Sequence, residues 1–149
     1  MKKLLFILTA CFLVGCSEQT YEPHDIKPET DICKICNMSI THSEFAGQIA
    51  FKNGDYDVYD DIGCLMSYII DNGDAEIGKA FIKDANTNVW MDVYSATYIY
   101  SQDYWTPMNY GILAFGDEQA ADAYMAEHGE GQKLQYEDLL TFKWGIHVH

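Results

Sequence analysis

An α+β domain built from two small related β-β-α halves is the expected architecture of this chain, and three features carry that expectation. Asn53-Gly54 stands between two short apolar runs as a hairpin turn. Two helical stripes each begin behind an aspartate and end at a glycine. The tripeptides before those helices, Tyr59-Asp60-Asp61 and Phe115-Gly116-Asp117, match in character and point to an internal duplication.

The elements follow in order. Phe45 to Phe51 reads as a strand, and Tyr56 to Asp60 returns after the Asn53-Gly54 turn. Asp60 or Asp61 caps a helix whose Ile62, Leu65, Met66, Ile69 and Ile70 form a core stripe at i, i+3, i+4, i+7 and i+8. Asn72-Gly73 stops it. Phe81 to Ala85 and Val89 to Tyr100 read as strands joined through Asn86-Thr87-Asn88, and Gly111 to Phe115 as another. Asp117 caps a second helix that runs to His128 and stops at Gly129, with Ala120, Ala121, Tyr124, Met125 and His128 on one face. A short final helix is expected over Tyr136 to Phe142.

The N-terminus has a different character. Lys2 and Lys3 precede an apolar run, Leu4 to Val14, that is too short to span a bilayer. Leu13-Val14-Gly15-Cys16 then resembles a bacterial lipoprotein signal, in which the Cys becomes the lipidated first residue. Three segments result: a signal peptide at 1–15, lipidated Cys16 with a polar tether at 16–30, and the domain at 31–149. The tether reading rests on the polar run Ser17 to Thr30, with Pro23 and Pro28 and no apolar periodicity. Removing fifteen leader residues from 149 leaves 134, an ordinary size for one domain with its own core.

Charge narrows the partners. Without Lys2 and Lys3, seven basic residues face 23 acidic ones, a charge of −16. No basic patch exists for nucleic acid. Anionic lipid repels such a domain, so a lipid anchor and not electrostatics must hold it at a membrane. No nucleophile elbow, zinc-protease helix or phosphate loop is present, so no catalytic constellation stands out. Asp60 and Asp61 are better read as helix capping than as paired catalytic acids.

The sulfur chemistry is more specific. Five cysteines are present. Cys11 leaves with the leader and Cys16 is consumed by lipid, so Cys33, Cys36 and Cys64 remain. An odd number makes no closed disulfide framework, and three thiols kept outside the cell suggest a use. Cys33-Lys34-Ile35-Cys36 is a lone C-x-x-C with four readings. A thioredoxin-like redox pair would open a long helix, whereas Asn37-Met38-Ser39 starts no helical stripe. A zinc knuckle needs a fourth ligand and has no second C-x-x-C. A structural disulfide would join Cys33 or Cys36 to Cys64. Cu(I) capture needs only two or three soft ligands, and Met38 places a thioether beside the thiols. Met108, in the loop Pro107-Met108-Asn109, is the best distant thioether. Cys64 lies roughly opposite the core stripe of its helix and either faces the motif or fills space. Among the histidines, His42 is near enough in sequence to complete a Cys-Met site. His128 ends a helix, His24 lies in the tether, and His147 and His149 alternate on one face of an extended tail.

Taken together, the run Asp31 to Ile40 around Cys33, Cys36 and Met38 resembles the NosL lipoproteins. So do Phe45-Ala46, Gln48-Ile49, Tyr59 to Cys64, Pro107 to Ile112, Ala114-Phe115 and His128-Gly129. The resemblance covers about residues 30 to 142. It implies a copper chaperone of two related α+β halves that serves the copper centres of nitrous-oxide reductase. It also implies Cys36 and Met38 as soft ligands, with Cys33 beside them. NosL members commonly read Cys-Gly-Met where this chain has Cys36-Asn37-Met38. Asn tolerates positive φ, so the turn and its ligands survive, while a recipient other than nitrous-oxide reductase stays open. The expectation is therefore a lipid-anchored, extracytoplasmic Cu(I) carrier and not an enzyme. Its partner would be nitrous-oxide reductase, its maturation transporter or another exported copper protein. The alternative is a membrane-tethered thiol-disulfide oxidoreductase using Cys33 and Cys36.

Overall fold

The structure, a computed structural model, describes residues 19–145. The signal peptide, Cys16, His147 and His149 lie outside the described residues. No helix among those described is long and apolar enough to cross a membrane.

Two antiparallel sheets share one chain. β1 (Gly47–Phe51) and β2 (Tyr56–Tyr59) form the expected hairpin, with Gly54 at φ 94° in its turn. α1 (Ile62–Asn72) follows, then β3 (Ile77–Lys83) and β4 (Trp90–Asp92). The first sheet has the order β2-β1-β3-β4. β5 (Thr97–Tyr100), β6 (Ile112–Phe115), α2 (Glu118–His128) and β7 (Gln132–Leu134) make the second, with order β6-β5-β7. α3 (Tyr136–Leu139) closes the chain's regular structure.

The repeat is therefore β-β-α-β. In each half the first strand is central, the hairpin strand lies on one side and the strand after the helix on the other. Gln48 pairs with Val58 and Phe81 in the first half; Tyr98 pairs with Ala114 and Leu134 in the second. β4 is an addition to the first sheet alone.

Several expectations are corrected. The strand expected over Phe81 to Ala85 begins at Ile77 and belongs to the first half, because Gly78-Lys79 interrupts an apolar run that backbone pairing with β1 completes. The run Val89 to Tyr100 is two strands in two sheets. Asp92 breaks it, since its carboxylate accepts the Tyr94 N–H (2.9 Å) and its carbonyl the N–H groups of Ser95 and Ala96. Phe45 lies in a 3₁₀ turn, Ser43–Phe45, and not in β1. β7 has no sequence signal of its own, being short and polar. The last helix ends at Leu139, not Phe142. Ile70 is 44% exposed, so the buried stripe of α1 is Ile62, Leu65, Met66 and Ile69.

α1 sits in the larger core, to which the second sheet contributes Tyr98, Ile112, Ala114 and Leu134. The opposite face of that sheet, Ile99, Leu113 and Phe115, packs on Ala121 and, from partly exposed positions, Ala120, Tyr124 and Met125. Asp84 ties the halves together. Its carboxylate accepts from Asn86, Thr87 and Gly116 N–H at 2.8–2.9 Å, and Ala85 N–H reaches Ala114 O at 2.9 Å. Burial opposes its ionisation, but the three N–H donors win and hold its pKa below the usual carboxylate value.

Candidate metal centre

The C-x-x-C segment folds as a tight knuckle. Ile32 and Ser39 form an isolated bridge, Cys33 N–H donates to Met38 O (2.9 Å), and Asn37 N–H to Cys33 O (3.0 Å). Closing so small a loop requires a left-handed residue, and Asn37 has φ 58°. The departure from Cys-Gly-Met thus keeps the turn. Lys34 N–H donates to Val58 O (3.0 Å), which docks the knuckle on β2.

The third thiol comes from the first turn of α1. Asp61 is the N-cap, and its Oδ1 accepts from Gly63 N–H (3.0 Å) and Cys64 N–H (3.2 Å). Its other oxygen, Oδ2, accepts the N–H of Met108 (3.2 Å). One buried carboxylate therefore fixes both the helix that carries Cys64 and the loop that carries Met108. The loop, residues 101–111, is wound around buried Thr106, whose Oγ1 accepts from Tyr110 N–H (3.0 Å) and Gly111 N–H (3.3 Å). Tyr110 packs so closely on Gly63 that any side chain there would collide with its ring.

These elements gather the sulfurs. The Sγ atoms of Cys33, Cys36 and Cys64 all lie within 4.8 Å of one another, and all three cysteines are free. Cys33 and Cys64 are buried, while Cys36 is partly open. The Cys64 thiol donates to the Cys33 sulfur. Together with the backbone N–H groups of Cys36, Ile35 and Asp60, it outweighs burial and lowers the Cys33 pKa to about 5. Cys64, donor in that bond and buried, is raised. Burial pushes Cys36 up to about 11, helped by the neighbouring Cys33 and opposed by the Met38 N–H. The cluster thus favours negative charge at Cys33 and opposes it at Cys36 and Cys64, whose protons a bound cation would displace.

An open cleft of about 220 Å³ leads to it. Cys36, Cys64 and Met108 line it together with Ile35, Ser67, Asp71, Tyr110, Trp144 and Gly145. Trp144 stands edge-on to Tyr110, with ring centroids 5.3 Å apart, and is held by an Nε1–H bond to Leu139 O (3.0 Å).

The structure therefore brings Cys33, Cys36 and Cys64 into one cluster and Met108 to its cleft. Met38 contributes backbone to the knuckle, and its side chain is 46% exposed. The three described histidines lie among other partners. His42 bonds Glu44 (3.2 Å) and packs on Trp105, His24 stacks on Tyr56, and His128 packs on Tyr124. Sequence reasoning missed the second bond of Asp61, for which no signal exists. It also missed Tyr110 and Trp144, of which only Tyr110, two residues after Met108, was within reach.

Known proteins bear on this geometry. The fold matches the crystal structure of the copper chaperone NosL from Shewanella denitrificans, with a TM-score of 0.69 at 16% identity, covering 80% of this chain and 96% of that one. At that identity the likeness establishes the fold. No curated protein matches the chain in sequence. The family model described as NosL matches residues 23–141. The chain belongs to the NosL family.

Proposed function

We propose, from this family membership and the thiol cluster, that the chain is an extracytoplasmic Cu(I) carrier, anchored to the membrane through lipid on Cys16. The observation that carries the proposal is the convergence of three sulfurs within 4.8 Å at the floor of a cleft that Met108 lines. Cu(I) is a d¹⁰ cation that accepts two or three thiolate or thioether ligands without a strict geometry. Cys33, Cys36 and Cys64 supply thiolates here, and Met108 and Met38 supply thioethers. The buried pair retains the metal, while Cys36 and Met108 face the cleft where an incoming ligand can attack. Copper is cargo in this reading, and no chemical turnover is required. The recipient is nitrous-oxide reductase, its maturation transporter or another exported copper protein.

The oxidoreductase alternative needs an accessible thiolate to attack a disulfide. Here the accessible thiol, Cys36, has the raised pKa, and the lowered one, Cys33, has no exposed surface. That arrangement favours metal capture over exchange.

A titration of the reduced mature chain with Cu(I), against a chelator of known affinity and with Zn(II) in parallel, tests the proposal. One tightly held Cu(I) per chain, weakened about tenfold by Met108→Ala with the fold intact, is expected. Tight zinc with a zinc-dependent fold would make the thiols structural. Cys36-dependent reduction of a model disulfide that survives copper chelation would replace the carrier with a redox enzyme.

A further inference from the structure

The polar segment before the knuckle is seated on the domain. Gln19 Nε2–H donates to Lys52 O (3.4 Å), at the turn of the first hairpin. Tyr21 covers Gly78 so closely that a Cβ there would enter its ring. His24 stacks on Tyr56 at 4.1 Å, and its backbone exchanges two bonds with the side chain of Gln48 (2.6 and 3.4 Å). That exchange explains why a fully buried glutamine sits mid-strand in β1. Ile26 then packs on the core, and a turn at Lys27–Asp31 delivers the chain to Cys33. The segment is thus a strap along the sheet, running from the hairpin end to the thiol end.

The topology puts those ends on opposite sides of the domain. β2 runs from the hairpin turn toward Asp61, and α1 returns, carrying Cys64 in its first turn and ending near the hairpin. There Lys52 N–H bonds Glu76 O (3.0 Å) beyond the helix. The eleven residues of α1 span about 16 Å. Cys16, by contrast, is three residues from Gln19, a reach of at most about 11 Å.

We infer that this strap sets the orientation of the domain on the membrane: the hairpin end, residues 52–55 and 73–76, lies toward the bilayer, and the thiol cluster at the start of α1 lies at the far end from it. The inference rests on the proposed lipidation of Cys16. It assigns the acceptor to a copper-binding domain that approaches from the aqueous side, not to an opening flush with the membrane surface. Asp55, Asp74 and Glu76 outnumber Lys52 at the hairpin end, so anionic headgroups do not hold that end down. The short strap alone keeps it near.

The test uses the full lipidated chain in vesicles that contain an energy-acceptor lipid. A donor dye is attached by click chemistry at Asn53→azidophenylalanine or at Lys34→azidophenylalanine. Emission at 53 is expected to be quenched several-fold more than at 34. Inserting fifteen Gly/Ser residues after Cys16 should erase the difference. Copper on vesicle-bound chain should pass to an aqueous chelator as fast as from the chain in detergent. Equal or reversed quenching in chain that floats with vesicles overturns the orientation while leaving the anchor in place. A difference that survives the insertion, or slowed copper transfer, overturns it too. Absence of diacylglycerol on Cys16 by mass spectrometry, with no flotation, overturns the anchor and the orientation with it.

Discussion

The two halves of this molecule share a strand order, a helix length and a cap, yet only one half holds thiols. Asp61 and Asp117 are equivalent caps, Gly73 and Gly129 equivalent stops, and at the same spacing Cys64 corresponds to Ala120. Tyr59 corresponds to Phe115, each opposite the first residue of its central strand. The hairpins differ most. The first turns in residues 52–55, whereas the second spends 101–111 on a loop that carries Trp105, Met108 and Tyr110. That loop reaches across to the first helix, where Asp61 accepts the Met108 N–H. A duplicated frame has diverged so that one copy provides the third thiol and the other the wall of its cleft. The helices diverged as well. α1 buries six residues and α2 only Ala121, so the first helix is core and the second a cover.

Exchanging residues between equivalent positions tests this comparison. The largest effect is expected from Cys64→Ala, which gives α1 the residue of α2. Cu(I) affinity should fall more than about 100-fold, beyond the roughly 10–100-fold that outer partners of a metal carry. Circular dichroism should show an intact fold. A smaller loss would mean that Cys64 is packing and not ligand.

Next come the caps. Asp117→Ala should cost about 1 kcal/mol in urea denaturation, the ordinary value of an N-cap. Asp61→Ala should cost about 2–4 kcal/mol, because it also strands the Met108 N–H in a half-buried site. It should weaken Cu(I) binding, which Asp117→Ala should leave unchanged. Equal costs would mean that the halves are held independently.

The smallest effect is expected from Tyr59→Phe, which makes the first half resemble the second. The Tyr59 hydroxyl is buried with no hydrogen-bond partner among the described residues, and burial raises its pKa strongly. Removing it should leave stability unchanged or raise it by up to about 1 kcal/mol. A loss above that would reveal a partner for the hydroxyl, and the same melts would show it.

Much of this was legible in the chain. The Asn53-Gly54 hairpin, both aspartate caps and both glycine stops follow from rules that act within a few residues: turn dihedrals and orphan N–H groups at helix starts. That all three cysteines are free was not among them, since an odd count left a disulfide with Cys64 open. The duplication was visible as Tyr59-Asp60-Asp61 against Phe115-Gly116-Asp117, because caps repeat even where cores drift. Strand membership was not legible. Ile77–Lys83 joins β1, and the run from Val89 to Tyr100 divides between sheets, because pairing is set by partners far along the chain and apolar residues alone do not name a partner. Gln132–Leu134 is a strand only because β5 offers its edge.

The candidate site divides in the same way. Local sequence narrowed its chemistry: Cys33, Cys36 and Met38 lie within six residues, in a turn that Asn37 can make, and such soft donors suit a soft cation, while the redox, zinc and disulfide readings of the same motif stayed open. Which distant residues join was a tertiary matter. Cys64 faces the knuckle because α1 buries Ile62, Leu65, Met66 and Ile69 in the larger core and turns its first turn to Cys33. Met108 reaches the cleft because a buried carboxylate in one half must find N–H donors, and the loop of the other half supplies one. Packing and hydrogen-bond satisfaction operate across the whole fold, and they, not the order of residues, placed the third thiol beside the first two.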